Sequence, residues 1–525
     1  MRGTPKDRFS GMSVRKIREM AALTGGVFLL KEDFGRNQFK EVFMKTKSSQ
    51  IHILIAAVVF FVLRFILGGC TDMGITEAGA TALALFIATI YLWITYGSGW
   101  TSMLSIGLLA FSGICPAKTV MANSFGNSTT VICIGTLILC VALEENGVTK
   151  LIANWFITRK MVNKRPYMFL FMFLLANLVI TYFMEATAVA IIFVALAKSI
   201  LDSLGYTSKD KFSKALYFGI LWITCIGNGA TPIGHPVPLL MLNSLTTITG
   251  ESVSWLKYML IGIPLSLVTL GLTMLIFRFV LRPDCSKFDA YDVMERRKEL
   301  QGLSKKGKIS LGVYLALILF WLLPDLIEPI LPDLAAKISD VGAAIPSLIA
   351  VAIVCAIQVG GEPVLKYETA VKKIHWSTVI FIACIFVYAS VFNMESGGIN
   401  VFLKALVSPL ANSLSASALA AVFLFLVIFV TNFASNGVTG IVGITVCAPA
   451  LLGVSSVGYV TAYGVLVAIL CNMGIATPGG SGFVAIAQKD GYIEGGETMK
   501  YSLLLIALMY VATMLIFWPI AKLLF

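Results

Sequence analysis

Charge is scarce in this sequence. Asp, Glu, Lys and Arg make up 13% of its 525 residues, against 58% hydrophobic, and the mean hydropathy is +0.88. A soluble globular chain carries about a quarter charged residues, so that class is excluded. Only three histidines occur, and no HExxH, P-loop or paired-acid motif is present. The ten cysteines form no CxxC pair and lie mostly in apolar runs, for example Cys133, Cys225 and Cys471. A thiol there behaves as a small hydrophobe, so neither a disulfide framework nor a zinc site is implied. Residues 1–50 lack a signal-peptide pattern and read as a cytoplasmic tail. Within it, 14–46 fits a partly disordered segment or a helix lying on the inner leaflet equally well. The net charge of +12 comes mostly from this tail and a few loops. That is the pattern of cytoplasmic loops, with no basic stripe for nucleic acid.

What the sequence has in quantity is apolar runs near the length that crosses a bilayer as a helix. They are Ile51–Leu67, Ala78–Tyr96, Trp100–Phe111, Ser128–Leu143, Tyr167–Ile200, Ala215–Leu242, Trp255–Leu281, Ile309–Leu323, Val341–Val359, Trp376–Phe392, Ser417–Leu452, Ala462–Ala487 and Tyr501–Phe525. The fold class is therefore an all-α polytopic membrane protein. Arg64, inside the first run, reads as packed on an acid or carbonyl, or as snorkelling.

Glu185 stands alone as an acid deep in an apolar run, and a carboxylate there is a site hypothesis by default. The loop charges shape its run. With the N-terminus in the cytoplasm, four spans bring the basic link 147–166 back inside. A single crossing by Tyr167–Ile200 would then leave Lys209, Lys211 and Lys214 outside. They stay inside if the run enters and returns as two half-depth helices, with Glu185-Ala186-Thr187 at the tip. The basic loop 282–308 and the loop 361–375 also fall inside, and the acid-rich loop 325–340 falls outside. Ser417–Leu452, free of charge, is the matching hairpin, with Ser435-Asn436-Gly437 at its tip. The total is about 11 spans plus two re-entrant hairpins.

An internal repeat agrees with this. Leu143-Glu144-Glu145-Asn146-Gly147 is similar to Asn393-Met394-Glu395-Ser396-Gly397, and Glu145 to Glu185 and Glu395 to Ser435 are both 40 residues. Each half then reaches a Gly-rich break ending in Ala-Thr-Pro, at Thr231-Pro232 and Thr477-Pro478. Each copy crosses an odd number of times, so the copies are inverted. The expected organisation is a tail over 1–50, a first span plus repeat over 51–281 with hairpin 167–200, the basic loop 282–308, and a second repeat over 309–525 with hairpin 417–452. Inverted repeats with broken helices are the pattern of secondary transporters.

Two tips and two breaks leave backbone groups unpaired at membrane depth, which protein must bury or a watery cavity receive. Half-helix N-termini suit anions, whereas unwound carbonyls suit Na⁺. The expected anion contacts are Thr187, Thr231, Pro232, His235, Ser435, Asn436, Gly437, Thr477 and Pro478, with the Asn436 amide able to donate to a carboxylate. The expected cation positions are Glu185, Gly227, Asn228, Ser435, Asn436, Gly474 and Ala476, with Na⁺ or H⁺ as the coupling ion and no organic cofactor. Ser481 with His235 as base would make an intramembrane hydrolase, but no motif spacing supports it.

Over nearly the whole chain from Ile51, these stretches resemble the divalent anion:sodium symporter family. The matching parts are Val141–Leu151, Ile226–Met241, Phe386–Leu406, Asn432–Leu452 and Met473–Ile486. The family keeps Ser-Asn-Thr at each tip. Here the second tip has Ser435-Asn436-Gly437 and the first only Thr187, after Glu185 and Ala186. His235 stands at a family Thr position. The resemblance implies a plasma-membrane secondary transporter of small divalent anions such as dicarboxylates, dimeric, with an elevator-like motion. Three roles are open to Glu185: a fixed ligand of a cation, a proton carrier, or a permanent partner of His235 or Lys198. The proton role would also suit a cation/proton antiporter that carries no anion.

Overall fold

The computed structural model describes residues 36–293, 297 and 302–525, with only the helical backbone described over 36–49, 407 and 410–412. The expectations for the tail therefore lie largely outside the described residues, as does part of the loop 282–308. Among the described residues, regular structure is helical except for a two-residue antiparallel pair, Gln358–Val359 with Glu362–Pro363.

Among the described residues, four helices come first: α1 (Arg36–Gly68), α2 (Glu77–Tyr96), α3 (Gly99–Phe111) and α4 (Ala117–Asn123). Arg64 on α1 meets Glu77 at 3.2 Å. A series of seven helices follows: α5 (Ser128–Glu145), α6 (Val148–Ile157), α7 (Pro166–Thr181), α8 (Ala186–Ser203), α9 (Lys211–Ala230), α10 (Pro236–Thr249) and α11 (Trp255–Ile276). Four connecting helices come next: α12 (Lys305–Ile327), α13 (Pro332–Val341), α14 (Ala344–Ala356) and α15 (Tyr367–Lys373). The series then recurs as α16 (Trp376–Phe392), α17 (Ile399–Ser413), α18 (Ala416–Val430), α19 (Asn436–Leu452), α20 (Val457–Leu470), α21 (Gly482–Gln488) and α22 (Gly495–Ala512).

The two series match in detail. Each opening helix stops at a bend that contains a Glu, Glu145 or Glu395, with Gly147 (φ 74°) or Gly398 (φ 62°) in the left-handed region that glycine enters without strain. Each closing helix runs on through a π turn, Phe277–Leu281 or Thr513–Phe517. The broken helices α9 and α20 form the core: Ala215–Ala230 and Val460–Leu470 are buried throughout.

α7 and α8 fold back on one another. Phe173 and Phe193, equidistant from residue 183, pack with ring centroids 5.2 Å apart. α18 and α19 do the same, with Val427 against Gly443. The roots of the first hairpin meet a basic end of the molecule, where Tyr206 OH donates to Asp284 O (3.2 Å) and Lys287 meets Asp210 (3.1 Å). Lys306–Glu362 and Lys373–Glu145 lie at the same end. Such exposed pairs add little stability, but they show that the basic loops gather. The roots of the second hairpin lie at the other end, where Tyr459 OH donates to Ser417 Oγ (3.0 Å) near the C-terminus.

Among the described residues, seven helices are long and apolar enough to cross a membrane, and two bent pairs, α13–α14 at 68° and α15–α16 at 69°, raise that to nine. The sequence count of about 11 also takes α3 and the two broken runs α9–α10 and α20–α21 as spans, and it leaves out α8, which it reads as one arm of a hairpin. One loop is corrected: 325–340 is largely helical, since α12 continues to Ile327 and α13 begins at Pro332. Proline at the first helical position supplies a preset φ and lacks an N–H that would be unpaired anyway, so α13 starts there, and Asp333 in its first turn favours the start.

Candidate functional site

α7 ends at Thr181, and residues 182–185 make the first turn. Glu185 is 8% exposed and caps α8. Its Oε2 accepts from Thr187 N (2.8 Å) and Ala188 N (3.2 Å), and its Oε1 accepts from the Thr187 hydroxyl (2.8 Å). Two of these partners are backbone N–H groups, which can only donate, and the third is a hydroxyl. No ion pair joins it to His235 or Lys198, so the paired role is not seen. The turn is fastened from outside: Thr231 Oγ1 donates to Tyr182 O (2.5 Å), and the Tyr314 hydroxyl of α12 donates to Phe183 O.

At the second turn Ser435 has the same backbone as Glu185 (φ −55°, ψ 137° against −57°, 126°), but its side chain makes no cap bond. Asn436 is 9% exposed. With its amide nitrogen turned toward them, it donates to Cys471 O (3.1 Å), Gly480 O (3.1 Å) and Thr431 Oγ1 (2.9 Å). The amide expected to meet a carboxylate is thus used within the protein, and the side-chain oxygen remains as an acceptor. Asn432 ties the turn to the break: its Oδ1 accepts from Ile475 N (2.9 Å) and Ala476 N (2.8 Å), and its backbone oxygen accepts from the Thr477 hydroxyl.

Pro232 forces Thr231 into extended backbone (φ −134°, ψ 153°), which ends α9. The hydroxyls of Thr231 and Thr477 therefore hold the two turns in the same way and are not free for substrate. Three residues on, a Cβ at Gly234 would press into the carbonyls of Thr181 and Tyr182, and one at Gly480 into those of Thr431 and Asn432. His235 and Ser481 follow as matched caps, with φ −148° and −151°. Their side chains accept from Val237 N (3.3 Å) and Phe483 N (3.2 Å). No hydrogen bond joins them to each other, and each is engaged with its own helix.

The carbonyls freed at the breaks are also answered. Tyr258 OH donates to Gly229 O (2.5 Å) and Ser502 Oγ donates to Ile475 O (3.0 Å). Of the expected cation positions, Gly227 packs on Thr181, Gly474 lies against Asn436, and the Ala476 amide goes to Asn432. Asn228 differs: its Nδ2 faces Asn472 Oδ1 at 3.4 Å, and its buried Oδ1 has no partner.

Tips and breaks form one cluster. Gly437 lies against Val237, two residues past His235, and against the Phe381 ring. α19 packs on α10, and α8 packs on α21, so each hairpin touches the other series' break. A cavity of about 10 Å³, room for a single water, is lined by Pro232, His235 and Cys133. A cavity of about 900 Å³ opens at the acidic end beside Glu251, Asp325 and Glu328. Trp255 and Trp321, edge to face at 5.5 Å, line both and separate them.

Sequence reasoning missed Asn432, Asn472, Tyr258, Tyr314 and Ser502. The lone asparagines were the available signal, since an amide within an apolar run needs a partner.

The chain is similar to known transporters. Aligned with the sodium-dependent dicarboxylate transporter SdcS of Staphylococcus aureus (strain NCTC 8325 / PS 47), it is 25% identical over 300 residues, 55% of this chain and 56% of that protein. SdcS of strain COL matches equally. The chain thus spans about half the length of the curated relatives it matches. The crystal structure of the Alcanivorax borkumensis YdaH transporter, described as having an unusual topology, shares the fold. Its TM-score is 0.50 at 15% identity, over 77% of this chain and 87% of that one. Residues 83–464 match the model of the CitMHS family, described as citrate transporter. SdcS and this match both agree with the resemblance to the divalent anion:sodium symporters. The chain belongs to the CitMHS citrate transporter family.

Proposed function

We propose that this chain is a secondary active transporter of small carboxylates, of the dicarboxylate type for which SdcS is named, coupled to Na⁺ or H⁺. The observation that carries the reading is the second tip. There an uncapped helix start, the Ser435 hydroxyl and the side-chain oxygen of Asn436 lie beside a break belonging to the other series. The helix start and Ser435 suit a substrate carboxylate, and the Asn436 and Asn228 oxygens suit a coupling cation. The two series, with hairpins rooted at opposite ends, are read as inverted repeats that move together in an elevator-like step within a homodimer. The N-terminus and basic end face the cytoplasm. The antiporter reading is weaker, because Glu185 is held by three donors of its own helix and is not poised to exchange.

Proteoliposomes test this. Labelled succinate should accumulate when a Na⁺ or H⁺ gradient is applied, and Asn436→Ala should abolish uptake while expression stays normal. Robust uptake by that variant would remove the site from the second tip. Proton flux driven by Na⁺ without any added anion would favour the antiporter.

A further inference from the structure

The two tips share a backbone but differ in what fills them. At the second, the Ser435 side chain leaves the start of α19 uncapped. At the first, a carboxylate already sits on the start of α8, a helix of 18 residues, and it belongs to the protein. Glu185 uses both of its oxygens there, on two backbone N–H groups and one hydroxyl. Those are the donors that an incoming carboxylate would need, so no second anion has a place at this tip. The site is also continuous. The first turn holds Thr231 and packs on Gly234, and the same short break leads through His235 to Val237, which touches Gly437 of the second tip. The Glu185 carboxyl thus stands one break away from the place proposed for the substrate, among groups 8% and 9% exposed, where charges are weakly screened.

We infer that Glu185 is a resident anion that occupies the first tip and restricts the substrate to species carrying one negative charge: an acid with a single carboxylate, or a dicarboxylate with one of its carboxyls protonated. The inference rests on the carboxylate reading above and narrows it. It differs from the cation-ligand, proton-carrier and ion-pair roles in that the carboxylate needs no partner beyond its own helix. A second substrate carboxylate at this tip would find those donors taken by Glu185, and like charges held together inside a protein disfavour one another strongly.

Succinate and succinamate, the same skeleton with one carboxylate replaced by an amide, separate charge from shape. Binding of each to the detergent-solubilised full chain would be measured by calorimetry at about pH 8, where both succinate carboxylates are ionised. The wild type should bind succinamate roughly tenfold more tightly than succinate. Glu185→Gln keeps a side-chain acceptor for the helix start and removes the charge. Glu185→Ser reproduces the residue of the second tip and also frees the donors. Both should erase the preference, with the larger gain for succinate in Glu185→Ser, and a thermal melt would show that each variant is folded. Wild type binding succinate as well as succinamate would overturn the inference even if neither variant folded. So would a preference that persists in folded Glu185→Gln. If both acids bind with no regard to charge, only the role of Glu185 falls. If neither acid binds to any of the three proteins, the carboxylate reading falls with it.

Discussion

Thr231 and Thr477 each follow a Gly-rich run and precede a proline, and their hydroxyls read as ligands. Each instead donates to the carbonyl three residues before a tip, Tyr182 O or Asn432 O. Replacing either with valine keeps the shape and leaves a buried carbonyl unpaired, at a cost of about 1–3 kcal/mol. Thr231→Val and Thr477→Val should therefore lower the melting temperature of the purified protein. A variant with unchanged melting but weakened substrate binding would restore the ligand role. Glycines offer a second check at this scale. Gly480→Ala would drive a Cβ into the carbonyls of the second turn, whereas a Cβ at Gly482 meets nothing within 4 Å. Only the first substitution should reduce thermal stability. Polar side chains were thus legible as important, but not as spent. A hydroxyl's partner is chosen by which carbonyls the fold has freed, and those lie some 45–50 residues away in sequence.

At the scale of elements, the hairpins were the most legible feature. Length and the placement of flanking lysines are local properties, and they argue against one straight span through α7 and α8. The acidic segment 325–340 was not read as helical: Pro332 was an available start signal, but the helix it begins packs on α12 only once the fold is set. Nor did spacing reveal the tryptophan pair. Trp255 begins α11 and Trp321 lies near the end of α12. Together they close the way from the 900 Å³ cavity to the break at His235. Removing one indole should join the two spaces. In a background without the other cysteines, Cys133, which lines the inner cavity, should react with a small methanethiosulfonate at least roughly tenfold faster in Trp321→Ala than in its parent. Equal rates would mean that another element closes the route.

For the whole molecule, the basic loops at one end and the acidic cavity at the other set an orientation that can be measured. Ser208 is exposed at the root of the first hairpin and Ser252 at the opposite end. In intact cells, an impermeant thiol reagent should label Ser252→Cys but not Ser208→Cys, and disruption of the membrane should expose both. External labelling of Ser208→Cys would reverse the orientation. The proposed inversion of the two series would account for two hairpins of unrelated sequence rooted at opposite ends. In that reading each series begins where the previous connection leaves it, α5 and α16 start from different ends, and the same path of helices runs in the opposite sense.

The sequence by itself determined the class of the molecule, the places where helices fail and the pairing of its halves. Hydropathy, proline and the spacing of repeats act over a few residues or along the chain, so they are readable without a fold. The tertiary structure decided what the polar groups at those failures do. It turned the Asn436 amide inward, used the Thr231 and Thr477 hydroxyls as ties, left the Asn228 oxygen bare and set the Glu185 carboxylate on its own helix. Each outcome follows from donors and acceptors brought together across long stretches of chain, and no local property of the sequence records which of them will meet.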